Sequence, residues 1–162
     1  RVESGSVAGE LTRQDLSSIV EDVAELYQPL AEEAGFEFSI HAQAGVDVRG
    51  NRELLSQALS NLIDNAIKYG KSDGVPPRIS VRLHMDAGKA IVDIADTGPG
   101  IAPEDRNRVT ERFTRLEQSR TRPGNGLGLS LVRAVAQLHG GVLDLGSNEP
   151  CGLRARLIVP LE

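Results

Sequence analysis

Tryptophan is absent from these 162 residues, and aromatic side chains of every kind make up only 3%. A core at this length must therefore be assembled from Leu, Ile, Val and Ala. Cysteine is nearly absent too, with Cys151 the single thiol. One thiol cannot close an internal disulfide, so nothing ties the chain to an oxidising compartment. Cys151, beside Gly152, reads as a small strand-edge residue rather than a nucleophile. No apolar run approaches the roughly 18 residues of a membrane span. The opening Arg1-Val2-Glu3-Ser4-Gly5 has no apolar stretch of the signal-peptide kind. The expectation is a cytoplasmic domain, or such a part of a larger and membrane-anchored protein. Basic charge is also in deficit: 18 Lys and Arg against 23 Asp and Glu give a net charge of −5. Nucleic-acid binders usually show a basic face, so that class is set aside.

What is present is ordinary for one globular domain, 40% hydrophobic and 25% charged. Residues 1–13 are polar and Gly/Ser-containing and read as a linker or frayed helix end, with the folded domain over 14–162. Asp15 caps a predicted helix to about Ala34, in which Leu16, Ile19, Val20, Val23, Leu26 and Leu30 recur at helical spacing. Gly35 stops it. Phe36 to Ala42 alternates as a strand, and Val46 to Arg49 is a short second one. Asn51 to Tyr69 is the clearest helix, with Asn51 as N-cap and Gly70 just past its end. Arg78 to Met85 and Lys89 to Ala95 form a hairpin through Asp86-Ala87-Gly88. Pro103 to Arg112 suits a short helix, Ser119 to Gly126 a mobile loop, and Leu127 to Leu138 a helix. Val142 to Leu145 and Leu153 to Val159 close the chain as strands. The order predicts an α+β fold: a two-layer α/β sandwich, its mixed sheet carrying helices on one face.

Three segments carry chemistry. On the Asn51–Tyr69 helix, Leu55, Leu59, Leu62, Ile63, Ala66 and Ile67 fill one arc. Asn61, Asn65 and Lys68 lie at i, i+4 and i+7 on the opposite side. Carboxamide oxygens suit Mg²⁺, and an ammonium can meet phosphate as a point charge. Taken alone, the stripe fits a solvated helix face better, although Asn is a poor helix former. The second segment is Asp96-Thr97-Gly98-Pro99-Gly100-Ile101, at the end of an apolar strand. Its carboxylate can accept from a ligand amino group, and its glycines let backbone approach a flat ring. An ordinary Gly/Pro turn has the same composition. The third is Gly124-Asn125-Gly126-Leu127-Gly128-Leu129-Ser130, which opens a helix. Free N–H groups there form an anion site, and a flexible loop feeding a helix is the plain alternative. Arg115, Arg120 and Arg122 lie close enough in sequence to serve phosphate.

In order and spacing these segments resemble the sensor histidine kinases. Asn61 to Tyr69 resembles their N box, Asp96 to Ile101 their G1 box, Glu111-Arg112-Phe113-Thr114-Arg115 their F box, and Gly124 to Ser130 their G2 box. The resemblance runs from about Leu16 to the C-terminus, and four boxes in this order are highly specific. It implies the Bergerat ATP-binding fold shared with gyrase, the Hsp90 chaperone and MutL, with ATP and Mg²⁺ as ligands. It further implies Asn65 as the Mg²⁺ residue, with Asn61, Lys68 and Tyr69 beside the phosphates and ribose. Asp96 takes the adenine amino group, and Gly98, Gly100 and Ile101 line the base. Gly124, Gly126, Leu127, Gly128 and Leu129 serve the phosphates through the loop and helix backbone. Phe113 belongs to a lid that also carries Arg115 and Arg122, aimed at the γ-phosphate. Asn61, Lys68, Arg115 and Arg122 are the residues implied in phosphotransfer.

The chain departs from the family pattern in places. Thr110 stands where the F box often has a first Phe, and Glu117 to Pro123 is a short lid. No His followed by Glu or Asp and then Thr-Pro occurs, so the phosphoacceptor box is missing. His41 falls on a strand, His84 near a hairpin, and His139 at a helix end in a structural role. The implied partners are a dimerisation domain carrying the acceptor histidine and a downstream response regulator. This chain alone is expected as a monomer and the parent as a homodimer. Rival readings are weaker. Asp96-Thr97-Gly98 matches the tripeptide of aspartic proteases, whose paired carboxylates need a homodimer and a mostly β chain. Gly70-Lys71-Ser72 lacks the earlier glycine of a P-loop, since Asn65 stands there, and it follows a helix rather than a strand. Within the superfamily, ATPases place a general-base Glu where Asn61 stands. A non-catalytic ATP-binding module is the remaining alternative.

Overall fold

The computed structural model describes residues 11–110 and 125–162. Strand β1 (Thr12–Asp15) leads into helix α1 (Leu16–Glu33), then strands β2 (Glu37–Ala42) and β3 (Asp47–Gly50). Helix α2 (Arg52–Tyr69) precedes the hairpin of β4 (Arg78–Asp86) and β5 (Lys89–Asp96). A 3-10 turn at Pro103–Asp105 runs into the short helix α3 (Arg106–Thr110). Helix α4 (Asn125–Leu138) and strands β6 (Val142–Ser147) and β7 (Leu153–Pro160) follow.

Local signals set the helix ends. Asp15 accepts from the Ser18 amide at 3.2 Å and so caps α1. Asn51 does the same for α2 through the Leu54 amide at 2.9 Å. The β4–β5 turn has positive φ at both Ala87 and Gly88, the two-residue geometry that matches strand twist.

Strand order is β2-β4-β5-β7-β6, with β2 parallel to β4 and the other pairs antiparallel. Alternation sends Ile79, Val81 and Leu83 of β4, Val92 and Ile94 of β5, and Ala155, Leu157 and Val159 of β7 into the core. There they meet Ile19 and Val23 of α1, Leu55, Leu59 and Ile63 of α2, and Val132 and Val135 of α4. Among the described residues helices cover this face only, which is the expected two-layer α/β sandwich on a mixed sheet.

Three local expectations change. Thr12 and Arg13, read as linker, belong to β1, which pairs antiparallel with β3 from Thr12↔Gly50 to Asp15↔Asp47. The side chains of β1 are polar and largely exposed, so backbone bonding rather than any apolar pattern makes it a strand. Helix α4 starts at Asn125, two residues before the expected Leu127. Of the helix expected over Pro103–Arg112, the described part divides into the 3-10 turn and α3. His139 has the structural role expected of it. Its buried ring accepts from the Asn51 amide through Nε2 at 3.1 Å, and its Nδ1 lies 2.8 Å from the Val135 carbonyl. The end of α4 is thereby tied to the start of α2.

Candidate functional site

Strand β5 ends at Asp96, and the fold closes on that residue from three sides. Its Oδ1 accepts from the Gly98 amide at 2.9 Å and from the Leu153 amide at 3.1 Å. Thr97 donates through Oγ1 to the Gly70 carbonyl at 3.0 Å and accepts from the Arg78 amide at 3.1 Å, pinning the end of β5 to the end of α2. A Cβ on Gly98 would overlap the Tyr69 carbonyl, and one on Gly152 would overlap the Asp96 carbonyl. Glycine at both positions is what lets three backbone segments converge. Asp96 is 6% exposed. Burial pushes its carboxyl above the ordinary value near 3.8, while the Gly98 and Leu153 amides pull the other way.

A cleft partly open to solvent lies against this carboxylate. Its floor and walls are Leu62, Ala66, Ile94, Leu129, Leu153 and Ala155, with Pro99, Gly100 and Ile101 at one lip. Asn65 and Tyr69 of α2 form the opposite side. The Asn65 Nδ2 is buried and has no hydrogen-bond partner among the described residues. It faces Gly128 in the first turn of α4, 3.7 Å from where a Cβ would stand. An unpartnered buried amide is costly unless a ligand satisfies it. The start of α4, which includes Gly126 and Leu127, brings the free N–H groups and positive dipole of a helix N-terminus to the same rim. The arrangement is a largely apolar slot that a buried carboxylate and Asn65 both line, with the first turn of α4 beside Asn65.

Of the residues singled out from sequence, the structure brings Asn65, Tyr69, Asp96, Gly100, Ile101 and Leu129 onto this cleft, with Gly128 beside Asn65. Gly98 stands behind Asp96, bonding its carboxylate rather than lining the slot. Asn61 and Lys68 do not line it. Lys68 is ion-paired with Asp64 at 2.9 Å, both about half-exposed, and this hydrogen bond raises its pKa. Such a surface pair is weak and can release its lysine to a stronger anion. Phe113, Arg115, Arg122 and Gly124 lie outside the described residues, as do the F box and the expected lid. Thr110, in place of an F-box Phe, is buried; its hydroxyl donates to the Asn107 carbonyl at 2.9 Å and meets Arg133 at 3.4 Å. The sequence reading missed Leu62, Ala66, Ile94, Leu153 and Ala155 as cleft residues. They read there only as core, because helix and strand periodicity says which residues are inside and not which face a gap.

Several alternatives lose their footing. Lys71 donates to the Ala34 carbonyl and sits 5.4 Å over the Phe36 ring, so Gly70-Lys71-Ser72 forms no phosphate loop. Asp96 lies in an α/β sandwich and is held by two amides, unlike a shared protease carboxylate. Among the described residues, no group of three His, Cys, Asp or Glu could hold a metal. None of the described helices is long and apolar enough to cross a membrane. Cys151 sits in the turn before β7, 3.4 Å from the Thr97 carbonyl.

Residues 50–162 match the family described as "Histidine kinase-, DNA gyrase B-, and HSP90-like ATPase". The chain is 38% identical over 152 residues to the signal transduction histidine-protein kinase/phosphatase MprB of Mycolicibacterium smegmatis, covering 88% of this chain and 30% of that protein. It is 34% identical to the sensor-like histidine kinase SenX3 of Mycobacterium tuberculosis, covering 93% of this chain and 36% of that one. It thus spans about a third of the length of these relatives. A structure of mycobacterial sensor histidine kinase MprB superposes with a TM-score of 0.78 at 30% identity, covering 94% of this chain and 98% of that one. The catalytic domain of histidine kinase ThkA shares the fold, with a TM-score of 0.79 at 24% identity over 93% of this chain and 97% of that one. The chain belongs to the histidine kinase-, DNA gyrase B- and HSP90-like ATPase family, as the catalytic ATP-binding domain of a sensor histidine kinase.

Proposed function

We propose that this domain binds Mg-ATP in the Asp96 cleft and passes the γ-phosphate to a histidine on a dimerisation domain outside this chain. The observation that carries the reading is that two groups line one slot: the buried carboxylate of Asp96 and the carboxamide of Asn65, whose buried Nδ2 has no partner among the described residues. Asp96 accepts the adenine amino group through Oδ2, while Oδ1 keeps its two backbone bonds. Leu62, Ala66, Ile94 and Ala155 sandwich the base away from water. The α4 N–H groups at Gly126 to Gly128 hold the phosphates.

Asn65 fits a magnesium site. Its buried Nδ2 has no partner among the described residues, and a half-turn of the side chain exchanges oxygen for nitrogen at the same place. One oxygen is what a hard cation shared with phosphate takes from a protein. Bound there, Mg²⁺ supplies charge neutralisation on the phosphates. Lys68 leaves Asp64 for a phosphate oxygen, and Arg115 and Arg122 serve the γ-phosphate. A nitrogen of the incoming imidazole bonds to the γ-phosphorus as its bond to the bridging oxygen breaks, and ADP departs with that electron pair. Asn61 offers no carboxylate to activate water, which favours transfer over hydrolysis.

The acceptor belongs to another domain because this chain's histidines are unsuited. His139 is buried and bonded through both ring nitrogens, while His41 and His84 lie on β2 and β4, away from the cleft lining. A response regulator then receives the phosphate. The parent is a homodimer, and this domain works at the cytoplasmic side of a membrane-anchored sensor. The test is calorimetry with Mg-ATP, followed by labelled ATP with and without a separately supplied dimerisation domain. The chain alone stays unlabelled and the added domain gains label on its histidine. Label on His41, His84 or His139, or failure to bind Mg-ATP, defeats the reading.

A further inference from the structure

We propose that Asn148 is a positioning residue for base recognition: from the face of the sheet opposite the helices, it sets the direction in which Asp96 presents its carboxylate. The inference rests on Asp96 reading the adenine amino group. The ladder between β5 and β7 ends at the pair Ala95↔Arg154. One step further, Leu153 gives its amide to the Asp96 side chain instead of to the backbone. The Asp96 carbonyl is therefore left without its next strand partner, and Asn148 takes it, donating through Nδ2 at 2.7 Å.

Asn148 is itself held on every side. Its Oδ1 accepts from Arg154 Nη2 at 3.2 Å, which fixes the amide so that its nitrogen faces Asp96. Its own amide donates to the Gly152 carbonyl at 3.0 Å. Arg154 in turn grips the buried Asp93 at 2.5 Å. Asp93, Arg154, Asn148 and the Asp96 carbonyl thus form one chain of bonds across β5, β7 and the β6–β7 turn. Asn148 and Arg154 line a cavity on the open face of the sheet, and neither lines the nucleotide cleft. Asn148 therefore does not line the ligand's cleft, and the cleft carboxylate's own residue is the one its Nδ2 holds. With two amides fixing Oδ1 and Asn148 fixing the carbonyl, the peptide and the carboxylate share one orientation, and Oδ2 is left with one direction into the slot.

The experiment measures ADP and inosine diphosphate affinities by calorimetry. The two differ at the base position where adenine carries its amino group and hypoxanthine a carbonyl. The wild-type chain prefers ADP. Asn148→Leu lowers that preference about three- to tenfold, the scale of one lost hydrogen bond, by weakening ADP and leaving inosine diphosphate unchanged. Asn148→Asp keeps the Arg154 contact and the volume but sets an oxygen against the Asp96 carbonyl, so it reduces the preference in the same way and serves if the Leu variant does not fold. A merely structural role for Asn148 weakens both nucleotides equally, and that result, or an unchanged preference in a folded variant, overturns the proposal. Asp96→Asn is measured alongside. If it removes the preference while the Asn148 variants retain it, the Asn148 inference alone fails. If it too leaves the preference intact, the assignment of Asp96 to the base is what fails.

Discussion

Replacing Asp96 by Asn separates binding from stability at one atom. In the folded domain Oδ1 accepts two backbone amides, and an asparagine oxygen can keep both. Oδ2 becomes an NH₂, a donor facing the donor of the adenine amino group. A charge-assisted hydrogen bond is lost and a mismatch replaces it, at about 1.5–3 kcal/mol, or roughly 10- to 150-fold in affinity. ADP suffers as much as ATP, because the base is common to both. Stability moves the opposite way. Burial is the largest influence on Asp96 and raises its pKa above the ordinary 3.8. A carboxyl raised in the fold contributes stability that is full below about pH 3.8 and is lost as pH rises through the raised value. At neutral pH the empty wild-type domain bears that cost and the neutral amide does not. Asp96→Asn therefore melts at or above wild type at pH 7, and the difference shrinks as pH falls toward 4. ADP affinity of the wild type falls more steeply on acidification than that of the variant, since protonation removes the charged acceptor. Calorimetry and thermal melts across pH check both halves. Unchanged ADP affinity removes Asp96 from the base site, and a variant that melts lower at pH 7 than the empty wild type refutes the burial argument.

Two further substitutions probe the helices. Asn65→Ala weakens Mg-ATP binding tenfold or more yet spares metal-free adenosine, and it melts no lower than wild type, because it removes an unpartnered buried amide and installs the better helix former; equal loss for adenosine shows that Asn65 serves the base. His139→Ala leaves the Asn51 amide unpaired and costs about 1–3 kcal/mol, read as a drop of several degrees in melting temperature. Asn51 is 14 residues from Asn65, about 21 Å along the helix, so affinity for Mg-ATP changes less than about twofold; a larger change shows that the far helix ends shape the cleft.

The sequence by itself determined the elements and their order, because helix periodicity, strand alternation and capping are local. Asp15 and Asn51 are legible as caps since each bonds an amide three residues on. The boxes are legible for the same reason: Asn65 to Tyr69 are neighbours on one helix, and Asp96 to Ile101 are neighbours in one turn. Tertiary structure decided what those boxes do to one another. Leu153 reaches Asp96 across 57 residues, through the register of β5 on β7, and no local pattern encodes that register. Ala66 and Ile94 read only as core, yet both border the cleft beside Asp96 once α2 and β5 are packed together. Gly98 looked like a residue against the base; its place behind Asp96 follows from the close passage of the Tyr69 backbone. Strand β1 has no apolar alternation and exists because β3 offers it a backbone edge. His139 acquires its role only when α4 sets it beside an amide 88 residues earlier in the chain. Short-range chemistry can be read along the chain, whereas hydrogen bonds and apolar gaps between distant segments depend on how the layers close.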